Sequence, residues 1–152
     1  NFGVAQLERL IASSGVKPAA VQTEFHPWAS ADAHAVVAFC HRHAIAVTAY
    51  GSLGSSSNRA KGDAVAEVAK AHGVAPAAVL LRWALNRQVA VIPGATTKQH
   101  IKANLNLPPL TLTADELSRL GATSARPAKF RSWGNLPKGD VGVGGVLGTG
   151  PI

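Results

Sequence analysis

Methionine is missing from all 152 residues, and cysteine occurs once, as Cys40. One cysteine cannot close an internal disulfide, which excludes disulfide-stapled secreted folds and suits a reducing compartment. Acidic residues are scarce: eight Asp and Glu stand against 15 Lys and Arg, leaving a formal charge of +7. No apolar stretch approaches the roughly 18 residues that a membrane span requires. No basic, apolar, small-residue leader opens the chain. These absences point to a cytoplasmic protein, and no metal site is expected.

What is present is globular, with 47% apolar and 15% charged residues. That is enough for one domain with a real core. A net charge of +7 raises nucleic acid or an anionic surface as a partner. The cations are scattered, however, with no run of five or six, and the imbalance comes mostly from the shortage of acids.

A rhythm runs along the chain. Residues 4–13 place Val4, Leu7, Leu10 and Ile11 at helical spacing, and Gly15 suits the position just past the helix end. Residues 19–24 read as a short strand. Ser30 suits the N-cap of a helix that turns Val36, Val37, Phe39 and Cys40 to one side. IAVTAY, residues 45–50, is a buried strand ending in the Gly/Ser-rich loop GSLGSSSNR. The pattern then repeats. A helix over residues 63–72, with Val65 and Val68 inward, stops at Gly73, and Pro76 opens the next helix, residues 76–87. VAVI, residues 89–92, is a third strand. A helix follows around residues 100–104, and Thr113 with Glu116 forms a capping box for a last helix through Leu117 and Leu120.

Near-continuously apolar strands alternating with helices make an α/β arrangement with a parallel sheet. No phosphate-binding glycine turn follows a strand. The terminal GDVGVGGVLGTG opens no helix and reads as a flexible tail.

Four ordered motifs then carry a specific resemblance. The opening NF resembles the end of a G-x-S-N-F element, and VQTEFHPW resembles Q-x-E-[FY]-H-P. VTAYGSLG resembles V-x-A-Y-x-P-L-G. AAVLLRWALNRQVAVIPGATT with IKANL resembles a long helix, a strand and the helix after it. Together they resemble the C-terminal half of an aldo-keto reductase, from the end of strand 5 through strand 8. That family folds as a (β/α)8 TIM barrel around a nicotinamide cofactor. Residues 1–124 would be that half barrel, and residues 125–152 a basic, aromatic, then glycine-rich tail.

The resemblance implies roles. Gln22 and Asn1 match the amides that hold the nicotinamide carboxamide, and an amide offers both donor and acceptor. Tyr50, the only tyrosine, matches the ring that stacks on the nicotinamide rather than the family's proton donor. Ser52, Leu53 and Ser55 lie where the family's loop covers the pyrophosphate, with Arg59 and Lys61 as further charge. Many members carry Lys-Ser at the end of strand 8 and an Arg in the next helix to bind a 2′-phosphate. Here those positions are Gly94, Ala95 and His100. Thr97, Lys98 and Lys102 are candidate substitutes at a helix N-terminus, and Asn104 matches the adenine contact. The cofactor expected is NADP(H), with NAD possible. His26 and Glu24 read as structural residues turning the corner after strand 6. Trp28, and Trp133 beside Phe130 in the tail, are candidate linings for a small carbonyl substrate.

In the family the proton relay of Tyr, Asp, Lys and His lies on strands 1–4, which this sequence does not include. A barrel of this type needs roughly 250 residues. The expectation is therefore a part of a longer polypeptide, inactive by itself, or a chain packed against a partner. Half a barrel would leave two strand edges and an apolar interior uncovered. Two other classes stand beside the reductase part: a shortened, inactive relative serving as a subunit of an assembly, and a nucleic-acid or anionic-surface binder.

Overall fold

The structure, a computed structural model, describes residues 1–54 and 63–122. Three strands and six helices follow in chain order: α1 (Val4–Ser14), β1 (Ala20–Glu24), α2 (Ala31–Arg42), β2 (Ala46–Tyr50), α3 (Asp63–Ala71), α4 (Pro76–Leu85), β3 (Ala90–Val91), α5 (Lys98–Leu105) and α6 (Ala114–Ala122). The sheet is parallel, in the order β1-β2-β3, with Gln22 opposite Thr48 and Thr48 opposite Ala90.

Local chemistry sets most boundaries. The Ser30 hydroxyl accepts from the Ala33 N–H at 3.1 Å and starts α2. Gly15 closes α1 at φ 67°, and Gly73 follows α3 at φ 63°, the left-handed region open to glycine. Pro76 sits in the first turn of α4, where its missing N–H costs nothing. Thr113 and Glu116 cap α6 reciprocally: the Thr113 N–H donates to Glu116 Oε2 at 2.8 Å, and the Glu116 N–H to Thr113 Oγ1 at 3.2 Å.

Three expectations change. The last strand is shorter than VAVI, because it pairs on one side only; beyond Val91 a single bond, Ile92 N–H to the Ala49 carbonyl at 3.2 Å, continues the ladder. The helix expected around residues 100–104 starts earlier, at Lys98, because Thr97 caps it through the His100 N–H at 3.1 Å. Burial alternates along β1 and β2 instead of covering both faces. Val21, Thr23, Val47 and Ala49 are buried, while Ala20, Gln22, Ala46 and Ala90 are exposed on the opposite face. Helices cover only one side among the described residues. The open side carries Ala20, Ala46 and Ala90 with Gln22, Thr48 and Tyr50, and Ile92 is 49% exposed just past β3.

The core lies between the sheet and α2, α3 and α4. Val36, Cys40, Val68, Val79, Leu81 and Trp83 are almost wholly inaccessible. Burial raises the pKa of the Cys40 thiol, so it behaves as a small inert hydrophobe. On α1 only Leu7 is buried; Val4, Leu10 and Ile11 stay half-exposed. Arg82 ties the segment before α6 to α4, donating to the Leu107 and Pro108 carbonyls at 2.8 Å each. Among the described residues no single helix is long and apolar enough to cross a membrane.

Two stability predictions arise here. Ala44 closes the turn after α2 at φ 52°, a conformation costing an L-residue roughly 1–2 kcal/mol. Ala44→Gly is expected to raise stability by about 0.5–1 kcal/mol after glycine's entropy is counted, read from the urea midpoint. Glu116 carries the second. The Thr113 N–H first, and His72 Nε2 at 2.7 Å next, hold its carboxyl below the ordinary glutamate pKa. A carboxyl depressed in the folded state adds stability above its unfolded pKa, and that stability is lost as pH falls through the folded value. Thermal melts taken from pH 6 downward should show the loss, and Glu116→Gln should flatten that part of the curve.

Candidate cofactor site

Parallel strands present their C-terminal ends on one side of a sheet; Tyr50 stands there, joined through Asn1 to the mid-strand Gln22 carbonyl. Asn1 lies along the free edge of β1, its nitrogen donating to the Gln22 carbonyl at 2.9 Å. The Tyr50 hydroxyl donates to Asn1 Oδ1 at 2.8 Å. Gln22 and Tyr50 share the open face because strand side chains alternate, and Glu24 lies opposite Tyr50 in register. Thr48 lies beside Gln22 on that same face, a position not singled out from sequence. Its signal was a polar residue two positions before Tyr50 in an otherwise apolar strand.

The corner after β1 is built by His26, which is buried at 3% exposure. The Trp28 N–H donates to His26 Nδ1 at 3.2 Å. That leaves the proton on Nε2, which donates to Glu24 Oε1 at 3.3 Å. Burial lowers the His26 pKa, outweighing the pull of Glu24. With both ring nitrogens engaged, His26 braces this corner. Glu24 in turn lies against Gly51, where an added Cβ would sit 3.5 Å from its side chain. Gly51 has φ 60°, so glycine rather than serine suits this turn on backbone grounds. Trp28 is half-buried with its ring 5.8 Å from that of His26.

Ser52 behaves differently from expectation. It is buried at 1% exposure, and its hydroxyl donates to the Ala49 carbonyl at 2.9 Å. The hydroxyl is spent inside the turn, so Ser52 can offer an anion its backbone but not its side chain. Leu53 packs partly against the core. Ser55 and Trp133 lie outside the described residues, as do Arg59, Lys61 and the whole 125–152 segment.

Thr97, Lys98 and His100 are exposed around the first turn of α5, and Asn104 is half-buried one turn further on. Thr97 Oγ1 accepts from the His100 N–H, which leaves its own proton free to donate. Gly94 and Ala95 bring no side-chain cation to the end of β3. The amide and aromatic groups of the first cluster fit a nicotinamide. The exposed Thr97 hydroxyl and the Lys98 ammonium at the start of α5 are donors suited to an anion. Among the described residues, no three His, Cys, Asp or Glu side chains converge to hold a metal ion.

The chain is similar to known proteins. Aldo-keto reductase family 1 member A1 of Bos taurus is 32% identical over 131 residues, covering 80% of this chain and 40% of that protein. The aldose reductase of Schistosoma japonicum superposes with a TM-score of 0.75 at 29% identity, over 85% of this chain and 41% of its own. Gox0644, solved as a mutant in complex with NADPH, superposes with a TM-score of 0.71 at 28% identity, over 80% of this chain and 44% of its own. The chain thus spans about two fifths of the length of the curated relatives it matches. The model of the aldo/keto reductase family matches residues 1–125. This chain belongs to the aldo/keto reductase family.

Proposed function

We propose that the chain forms the nicotinamide-binding wall of an NADP(H)-dependent oxidoreductase that reduces aldehydes or ketones to alcohols. In this reading its three strands belong to the C-terminal half of a (β/α)8 barrel. The observation that carries it is that Asn1 bonds both the Gln22 carbonyl and the Tyr50 hydroxyl, with Tyr50 at the C-terminal end of β2, the side on which such barrels build their sites. Two amides can pair with a carboxamide by donating and accepting, and the Tyr50 ring offers a flat face. Bound there, the dinucleotide would supply hydride.

The residues of this chain then orient and do not protonate. Tyr50 is the only tyrosine, and its proton is directed to Asn1 rather than toward a reacting oxygen. His26 is braced as described. In this reading the proton relay comes from an N-terminal half barrel of the family's kind or from a partner protein. Around α5, Thr97, Lys98, His100 and Lys102 stand in for a strand-end lysine in holding the 2′-phosphate, with Asn104 against adenine. Trp28 lines the side from which a small carbonyl substrate enters.

The test is a fluorescence titration of the full chain with NADPH and NADH, followed by an assay with an aldehyde. Binding of NADPH ahead of NADH, without NADPH oxidation, is the expected outcome. Binding of neither dinucleotide would remove the cofactor reading, and turnover by this chain alone would remove the division of labour.

A further inference from the structure

On the outer surface, away from the open sheet face, α2 and the end of α4 leave an open groove of about 440 Å³. Phe25 and Val37, both buried, lie at its base. His34 and His41 border it from α2 and Arg87 from the turn after α4. The two histidines are seven residues apart, so they stand on one face of α2, about 10 Å apart along its axis.

Arg87 is the unusual member. Its guanidinium lies 3.9 Å over the Trp83 ring, and one N–H donates to the Trp83 carbonyl at 2.9 Å. A guanidinium has five N–H donors, and no carboxylate pairs with this one among the described residues. Burial lowers its pKa. The same Trp83 ring meets His34 edge-on at 5.9 Å. Burial, then the charges of Arg87 and His26, lower the His34 pKa. Arg87 is therefore a cation beside two imidazoles, with no carboxylate balancing it among the described residues. The described acids are engaged or placed elsewhere. Glu24 holds His26, Glu67 holds Arg119 and Glu116 holds His72. Asp32 lies two residues from His34 on a different face of α2.

We propose that this groove binds an extended phosphate-class polyanion, with Arg87 as the anchoring cation and His34 and His41 as flanking donors. A guanidinium fork matches phosphate oxygens in pairs, and a partly desolvated cation gains most from such a partner. The spacing of the imidazoles decides against a single phosphate: side chains rooted about 10 Å apart reach both ends of a chain of two or three phosphoryl groups. The site is separate from the cofactor reading, on the helical side of the sheet.

Inorganic tripolyphosphate and inorganic phosphate are the probes, titrated into the full chain by calorimetry. Tripolyphosphate should bind at least tenfold more tightly than phosphate. Arg87→Met, which keeps the stem over Trp83, should weaken it tenfold or more, and His41→Gln two- to fivefold. Lys70→Gln removes an equal charge from an exposed position on α3 and should change nothing. Equal binding by Arg87→Met, or an equal loss in Lys70→Gln, would overturn the site in favour of a general charge effect. Should Arg87→Met fail to fold, exposed His41→Gln decides, and unchanged affinity there overturns the proposal.

Discussion

Trp83→Ala is expected to cost about 3–5 kcal/mol, since Trp83 heads the fully buried side chains by volume among the described residues. Trp83 is 1% exposed and joins elements far apart in sequence. Its ring meets Phe25 at 4.9 Å and His34 at 5.9 Å, and carries Arg87 on one face. Removing it leaves a cavity beneath α2 and the β1 corner and strands a half-buried cation. Set against the 5–15 kcal/mol typical of a whole domain, that loss brings the chain close to unfolding. Trp83→Phe should cost less, because the indole Nε1 has no hydrogen-bond partner, so phenylalanine gives up packing without giving up a bond. Urea unfolding of the three proteins measures both. A loss under 1 kcal/mol for the alanine variant would show that the cluster does not hold these elements together.

Tyr50→Ala is expected to weaken NADPH binding roughly 10- to 100-fold, from the ~1–3 kcal/mol that stacking on an aromatic ring contributes. Stability should fall little, since Tyr50 lies on the open face and is only half-buried. Tyr50→Phe separates the two parts of the side chain. It keeps the ring and loses the bond to Asn1 Oδ1, so it should retain most of the affinity if stacking dominates. Were Tyr50→Phe as weak as Tyr50→Ala, the hydroxyl holding Asn1 in place would be the important part. Were neither variant impaired, Tyr50 would have no part in holding the cofactor. Fluorescence titration reads all three cases.

Most of the secondary structure was legible because its signals are local. Ser30, Gly15, Gly73, Pro76 and the Thr113–Glu116 pair act within three or four residues of themselves, through a backbone N–H or an allowed φ. The motif run likewise marked Gln22 and Tyr50 before their positions were known. The brace around His26 was legible only as a preference, since its tautomer depends on which atoms meet each ring nitrogen.

Other features had no local signal. Ser52 stands in a glycine-rich loop, where sequence suggests an exposed hydroxyl; the turn folds it inward onto the Ala49 carbonyl. Arg82 and Arg87 are five residues apart on or just past one helix, and sequence treats them alike. Arg82 is tied to the carbonyls of Leu107 and Pro108, while Arg87 lies on Trp83 in an open groove. Apolar composition likewise predicted buried strands, although a strand is buried only where another layer covers it.

By itself the sequence determined the alternation of strands and helices, their caps, and the family, because period, capping and motif order are written along the chain. Tertiary structure alone decided which face of the sheet stays open. It also decided that Asn1 meets Tyr50 across 49 positions, and which cations find a carboxylate. Those outcomes depend on distances between residues remote in sequence, and such distances exist only once the chain has packed.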